Sequence, residues 1–206
     1  MKIDRKSHWE AVYETKQPHE VSWTQDNPKT SLDFIRASNL PKTAKIIDIG
    51  GGDSKLADFL LDEGYEDITV LDISANALER AKIRLGKKAA LVKWIISDVL
   101  EFTPASNYDI WHDRAAFHFQ TDQEHVNKYL EVAKKSASNF LILATFSEDG
   151  PEKCSGLEIK KYSIEALESL LFQDFTKTAW VVEDHQTPFS TLQNFLFCSF
   201  KRNTNL

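Results

Sequence analysis

The stretch Lys45-Ile46-Ile47-Asp48-Ile49-Gly50-Gly51-Gly52-Asp53-Ser54 constrains this chain more than any other. Ile46, Ile47 and Ile49 are β-branched, which suits a strand buried in a parallel sheet. Three consecutive glycines end the strand, and Ser54 opens a helix-like segment from Lys55 to Glu63. Glycines allow a tight turn and let backbone N–H groups approach a ligand with no Cβ in the way. A helix that starts there directs its unpaired N–H groups and positive dipole end to the same point, which favours an anionic group. A glycine-rich βα turn without a ligand would share these features, so the next strand carries the argument further. Asp67-Ile68-Thr69-Val70-Leu71-Asp72 ends in a carboxylate about 20 residues past the glycines, where a nucleotide-binding βαβ unit places the acid that grips a ribose.

The spacing discriminates between nucleoside ligands. A nicotinamide or flavin fingerprint requires G-x-G-x-x-G, and its third glycine would fall at Lys55. The chain instead reads Asp48-x-Gly50-x-Gly52-x-Ser54, with Gly51 between the two glycines. This resembles motif I of the class I S-adenosylmethionine (SAM) dependent methyltransferases, acid-x-G-x-G-x-G, with Ser54 in place of the third glycine. Ser54 keeps a small residue that can cap the helix. The methionine end of SAM carries an ammonium and a carboxylate beside a sulfonium. A carboxylate at Asp48 can face the ammonium while the helix N-terminus faces the carboxylate.

With 206 residues the chain suffices for one domain with a sizeable core, residues 1–206, and is short for two. The formal net charge is −6 with both signs interspersed. No basic face of the kind that grips a phosphate backbone is visible, so no nucleic-acid partner is expected. No apolar run reaches the roughly 18–20 residues of a membrane span. The charged start, Met1 to Glu10, lacks the apolar core of a signal peptide. The two cysteines, Cys154 and Cys198, are too few and too far apart for a disulfide framework or zinc site. A cytoplasmic protein without membrane association is expected, as monomer or homodimer.

Residues 1–40 are rich in aromatics and read as an N-terminal helical cap before an α/β core at 41–206. Ser7 can cap a helix carrying Trp9, Val12 and Tyr13; Asn27-Pro28 starts another holding Leu32, Phe34 and Ile35. The cap either covers the sheet edge as core or acts as a lid, with Trp9, Tyr13 or Trp23 closing over ligand. From Lys45 strands and helices alternate: strand 45–49, helix 54–63, strand 67–72, helix 75–85, strand 91–96, strand 108–112, helix 123–135 and strand 140–146. Such alternation indicates a parallel sheet covered by helices on both faces. A helix runs from Tyr162 to about Phe172, and two β-rich runs, 178–183 and 194–200, suggest a closing antiparallel hairpin. Class I methyltransferases end in this way. The resemblance implies an α/β fold: a single Rossmann-like, doubly wound, seven-stranded sheet with the last strand antiparallel.

The resemblance also assigns roles. Asp72 and the adjoining Ile73 would meet the ribose; the lesser alternative is that Asp72 caps the helix beginning near Ser74. Asp98 would accept from the adenine amino group while the N–H of Val99 meets a ring nitrogen. The run Tyr108-Asp109-Ile110-Trp111-His112-Asp113-Arg114-Ala115-Ala116-Phe117-His118-Phe119 leaves the fourth strand where the methyl group would emerge. Asp113 and His112 are candidate catalytic groups there, and Arg114 a candidate cofactor contact; an Asp113–Arg114 ion pair organising a loop is the alternative. This run, Asp149–Leu157 with Tyr162, and His185-Gln186-Thr187-Pro188 together resemble small bacterial type 12 methyltransferases. That branch is loosely similar to an enzyme that methylates a lysine of citrate synthase. Cys154 reads as a small packing residue and no more than secondarily as a reactive thiol.

The expected activity is methyl transfer from SAM to a small molecule or a protein side chain, including a lysine amine. SAM is the cofactor and no metal is required. A non-catalytic SAM-binding regulatory module is the alternative; it would not need the polar groups at 112–114.

Overall fold

The computed structural model describes residues 4–204, so the outermost positions of the expected domain lie outside it. Five strands come first: β1 (Lys45–Ile49), β2 (Asp67–Asp72), β3 (Val92–Ile96), β4 (Tyr108–Arg114) and β5 (Ala137–Phe146). A short hairpin, β6 (Lys153–Cys154) and β7 (Leu157–Glu158), stands apart from the main sheet. The long strands β8 (Phe175–Gln186) and β9 (Leu192–Arg202) close the chain. The sheet order is β3-β2-β1-β4-β5-β9-β8. β1 pairs in parallel with β2 and β4, whereas β9 runs antiparallel to β5 and β8. The seven-stranded α/β sheet with an antiparallel last strand is the architecture expected.

Successive side chains of a strand face opposite ways, and here both faces are apolar. Ile46, Ile68, Val70 and Ile110 pack with Leu32 and Ile35 of α2 (Lys29–Ala37), Leu56 and Leu60 of α3 (Leu56–Asp62), and Leu78 of α4 (Ala75–Leu85). Ile47, Leu71, Trp111 and Leu141 pack on the other face with Tyr129 of α5 (Gln123–Ser136) and Leu167 of α6 (Ile164–Leu171). After β3 the chain returns to the far side of β1 as β4. The strand order therefore reverses between β1 and β4, and a crevice opens at their carboxyl ends, where open α/β sheets bind ligands.

Several boundaries differ from the sequence expectation. Helix α1 (Arg5–Thr15) is capped by Asp4, whose carboxylate accepts from the Lys6 amide, and Ser7 donates to that same carboxylate. Helix α3 begins at Leu56 because the tight turn consumes Ser54 and Lys55; the Ser54 hydroxyl still accepts from the Leu56 amide at 3.1 Å. Residues 1–40 are not one detachable cap. Leu32 and Ile35 are essentially inaccessible in the core, and each such side chain contributes about 1.5–3 kcal/mol. Helix α1 lies over the crevice, and the chain from Pro18 to Ser31 borders it as well.

Candidate active site

The crevice is a cavity of about 840 Å³. Its floor is the glycine turn. Gly50 and Gly52 have positive φ, +64° and +50°, which glycine adopts without strain. Gly51 is needed for clearance: a Cβ there would stand 2.5 Å from Asp48 Oδ2 and 2.8 Å from Val70 Cγ1. The amides of Gly50 and Gly51 both donate to the Leu71 carbonyl, at 2.8 and 3.2 Å, and the Gly52 amide favours the charged form of Asp72. The glycines therefore shape the floor and do not hand N–H groups to a ligand, contrary to the sequence argument. Arg84 fastens the turn by donating to the carbonyls of Asp53 and Ser54.

Asp48 and His112 lie on adjacent strands in register, β1 and β4. His112 Nδ1 lies 2.7 Å from Asp48 Oδ1, and Nε2 lies 2.9 Å from the hydroxyl of Ser31 on α2. All three residues are buried and line the cavity. With Asp48 as carboxylate, Nδ1 carries the proton, and Nε2 is the lone-pair nitrogen that accepts from Ser31. Asp48 thus faces an imidazole. A partner for a ligand ammonium would be this Asp48–His112 unit and not a free carboxylate. Nothing in the sequence marks Ser31, which sits in an ordinary amphipathic helix.

Asp72 ends β2 beside the glycine turn, and its Oδ1 accepts from the Ser74 amide at 2.8 Å. Burial pushes its carboxyl up to about 7, with Asp48 and Asp53 adding repulsion and the Ser74 and Gly52 amides opposing. It does not cap α4; Ser74 does so through its hydroxyl, together with the Glu10 carboxylate. Ile73, Asp98 and Val99 line the cavity beyond Asp72. Asp98 Oδ1 accepts from the Leu100 amide at 2.9 Å, which fixes the turn after β3.

Helix α1 straps across the crevice and is pinned at its first residue and at its middle. Glu10 accepts from Ser74 and the amides of Ala75 and Asn76, while Arg5 donates to Gln120 and the Phe119 carbonyl. Between the pins, the Trp9 ring contacts Trp23 and Phe119 edge-on, at centroid distances of 5.6 and 5.2 Å. Trp9 and Trp23 line the cavity together with Tyr13. Their i, i+4 spacing made Trp9 and Tyr13 legible as one helix face, but Glu10 and Arg5 gave no signal.

Two predicted site residues fall elsewhere. Gly52 does not line the cavity; it packs under Tyr13 and Asp72. Asp113 is fully buried on the opposite face of β4 from His112, because β4 continues through Arg114 and alternation turns residue 113 away. Its carboxylate accepts from the Tyr129 hydroxyl at 2.5 Å and from the amides of Ala116 and Phe117. Burial pushes it up to about 6 against those three hydrogen bonds. Asp113 is not within reach of a ligand and makes no ion pair with Arg114; it holds the turn at Ala115, where φ is +72°. Arg114 itself returns to the cavity side, together with Cys154 and His185. Burial raises the Cys154 thiol to about 11, which makes it a packing residue. His185 sits 2.7 Å from the Ser22 carbonyl as part of the wall.

Residues 46–137 match a family model described as a methyltransferase domain. No curated protein matches the sequence. Among solved structures, a SAM-bound magnesium protoporphyrin IX methyltransferase from Synechocystis superposes with TM-score 0.71 at 14% identity, covering 98% of this chain and 99% of that one. The 1,6-didemethyltoxoflavin N1-methyltransferase of Burkholderia thailandensis, with S-adenosylhomocysteine (SAH), gives 0.69 at 16% identity over 97% and 87% of the two chains. An N-methyltransferase from Bradyrhizobium japonicum with SAH gives 0.63 at 16% identity over 87% and 90%. At such identities the likeness is one of fold. The looser similarity to a citrate synthase lysine enzyme is not shown by these comparisons. Among the described residues no helix is long and apolar enough to cross a membrane. Residues 46–137 thus match a methyltransferase domain, and nearly the whole chain shares the fold of SAM-dependent methyltransferases.

Proposed function

We propose that the enzyme methylates a small molecule inside the strapped cavity, with the nucleoside of SAM along Gly50–Gly51, Asp72, Ile73, Asp98 and Val99. The observation that carries this reading is the cavity itself. Its volume of about 840 Å³ lies high in the roughly 300–1,000 Å³ range of small-molecule sites, and Arg5, Trp9 and Tyr13 of α1 line one side of it. A protein side chain would have to enter beneath that strap. The toxoflavin and protoporphyrin enzymes, whose acceptors are small, share the fold.

The residues present fit SAM. Asp72 offers a carboxylate for a ribose, and Ile73, Asp98 and Val99 line the cavity beyond it. When bound, SAM supplies a methyl group already activated on a sulfonium. The chain has to align an acceptor lone pair with that methyl and exclude water, which is worth about 7–11 kcal/mol of barrier when the geometry is right. Trp9, Tyr13 and Trp23 exclude water. The acceptor proton passes to His112 Nε2, directly or through the Ser31 hydroxyl, and Asp48 stabilises the imidazolium that forms.

The ribose role of Asp72 has a pH signature. Two ribose hydroxyls are best accepted by the ionised carboxylate, so binding favours the charged form and releases a proton when Asp72 starts out protonated. With a ligand-free value of about 7, affinity for SAH is expected to rise about tenfold from pH 6 to pH 8. Asp72→Asn should lose that slope and retain whatever slope the ligand's own amino group imposes. Calorimetry at both pH values on both proteins decides the point; parallel profiles would remove Asp72 from the ribose site.

A further inference from the structure

Arg114 is a half-buried cation with one edge of its guanidinium sealed from solvent. Among the described residues it forms no ion pair. Nη1 donates to the Trp23 carbonyl at 3.0 Å, while Nε and Nη2 are shielded from solvent and have no partner. These two nitrogens form one edge of the guanidinium, the edge that offers two parallel N–H groups to a carboxylate. Burial pulls the group down to about 10, with Glu183, Cys154 and Asp48 opposing. The Phe195 ring lies 4.6 Å from the guanidinium carbon. The Glu183 carboxylate, whose charge Arg114 feels, accepts from the Thr30 hydroxyl at 2.5 Å. His118 and His185 feel the charge of Arg114, and burial lowers both, so neither supplies an anion. Shielded guanidinium N–H groups without acceptors are costly and are retained where something pairs with them.

On the reading of the site given above, we propose that Arg114 anchors the carboxylate of the methyl acceptor, and that the acceptor is a flat, apolar monocarboxylate. Three observations carry this. The unpaired edge has the geometry of a carboxylate. Arg114 follows His112 by two residues on the same face of β4, on the side of the cavity away from Asp72 and Asp98. The walls between are Trp9, Trp23 and Phe119, apolar surfaces that suit an aromatic or aliphatic body. A dianion is disfavoured because Glu183 and Asp48 already bring negative charge to the same guanidinium.

The other possible source of a carboxylate is the methionine end of the cofactor, and the test separates the two. Wild-type protein, Arg114→Gln and Arg114→Lys, each checked for folding, are titrated with SAH and with 5′-methylthioadenosine, which lacks the amino-acid carboxylate. Each SAH-loaded protein is then titrated with benzoate, phenylacetate and hexanoate, each against its neutral amide. The expected result is an acid-over-amide preference of about tenfold or more in wild type, lost in Arg114→Gln and weakened in Arg114→Lys. SAH affinity should stay within about threefold in both variants. The proposal is overturned if no acid is preferred over its amide in wild type, or if the preference survives in Arg114→Gln. It is also overturned if Arg114→Gln weakens SAH about tenfold while 5′-methylthioadenosine is unaffected, since Arg114 then holds the methionine carboxylate. Failure of wild type to bind either nucleoside would instead overturn the placement of SAM itself.

Discussion

Replacing His112 with asparagine is expected to lower turnover by about 10²–10⁴-fold, the range for loss of a positioned general base. The side-chain amide of asparagine can reproduce the donor that Nδ1 gives to Asp48, so the buried carboxylate keeps its hydrogen bond. What disappears is Nε2, the nitrogen 2.9 Å from Ser31 Oγ. SAH affinity and melting temperature are therefore expected to change little. Ser31→Ala should cost less than His112→Asn, because it removes a conduit and leaves the base. Single-turnover kinetics on the SAH-competent variants checks both. An acceptor that reacts as an anion needs no base, and wild-type turnover in His112→Asn would identify that case and remove His112 from the chemistry.

Asp113→Asn is expected to act on stability and not on chemistry. Asparagine presents one acceptor where three donors converge, and its NH₂ meets a Tyr129 hydroxyl that already accepts from Trp111 Nε1. Stranding buried donors costs about 1–3 kcal/mol each, of which relief of the desolvated carboxylate returns part. A net loss of about 2–3 kcal/mol follows. The pH dependence carries a definite sign. The folded value is raised, to about 6, so the stabilising contribution of Asp113 is present below the unfolded value near 3.8 and is lost as pH rises through about 6. The margin of wild type over Asp113→Asn should accordingly shrink between pH 4.5 and 7. Denaturant titrations at the two pH values measure it. A turnover loss of about 10²-fold at unchanged stability would return Asp113 to the mechanism.

These two residues also show what the sequence could and could not reveal. The fold was legible because strong local signals agree: β-branched runs, glycines at Gly50–Gly52 and the acid at Asp72 fall in the order a βαβ unit demands. The three segments at 108–119, 149–157 and 185–188 looked related only by resemblance. In space His112, Arg114, Cys154 and His185 reach one cavity. The error over Asp113 came from ending the fourth strand at residue 112. Continuing the strand through Arg114 applies the alternation to residue 113 and turns it to the face opposite His112, because the period is two. Ser31, Glu10 and Arg5 were invisible for a different reason. Their partners, His112, Ser74 and Gln120, lie far off in sequence, and nothing local to a helix announces a long-range polar contact. The glycine amides were misread because the Leu71 carbonyl that takes them belongs to the next strand.

The most direct test is a calorimetric titration of the full chain with SAH and, separately, with NAD at pH 8, where Asp72 is ionised. SAH is expected to bind one-to-one with a dissociation constant in the low micromolar range, and NAD to give no measurable heat of binding. Binding of NAD with no binding of SAH would contradict the assignment of the Asp48–Gly52 turn, Asp72 and Asp98 to SAM.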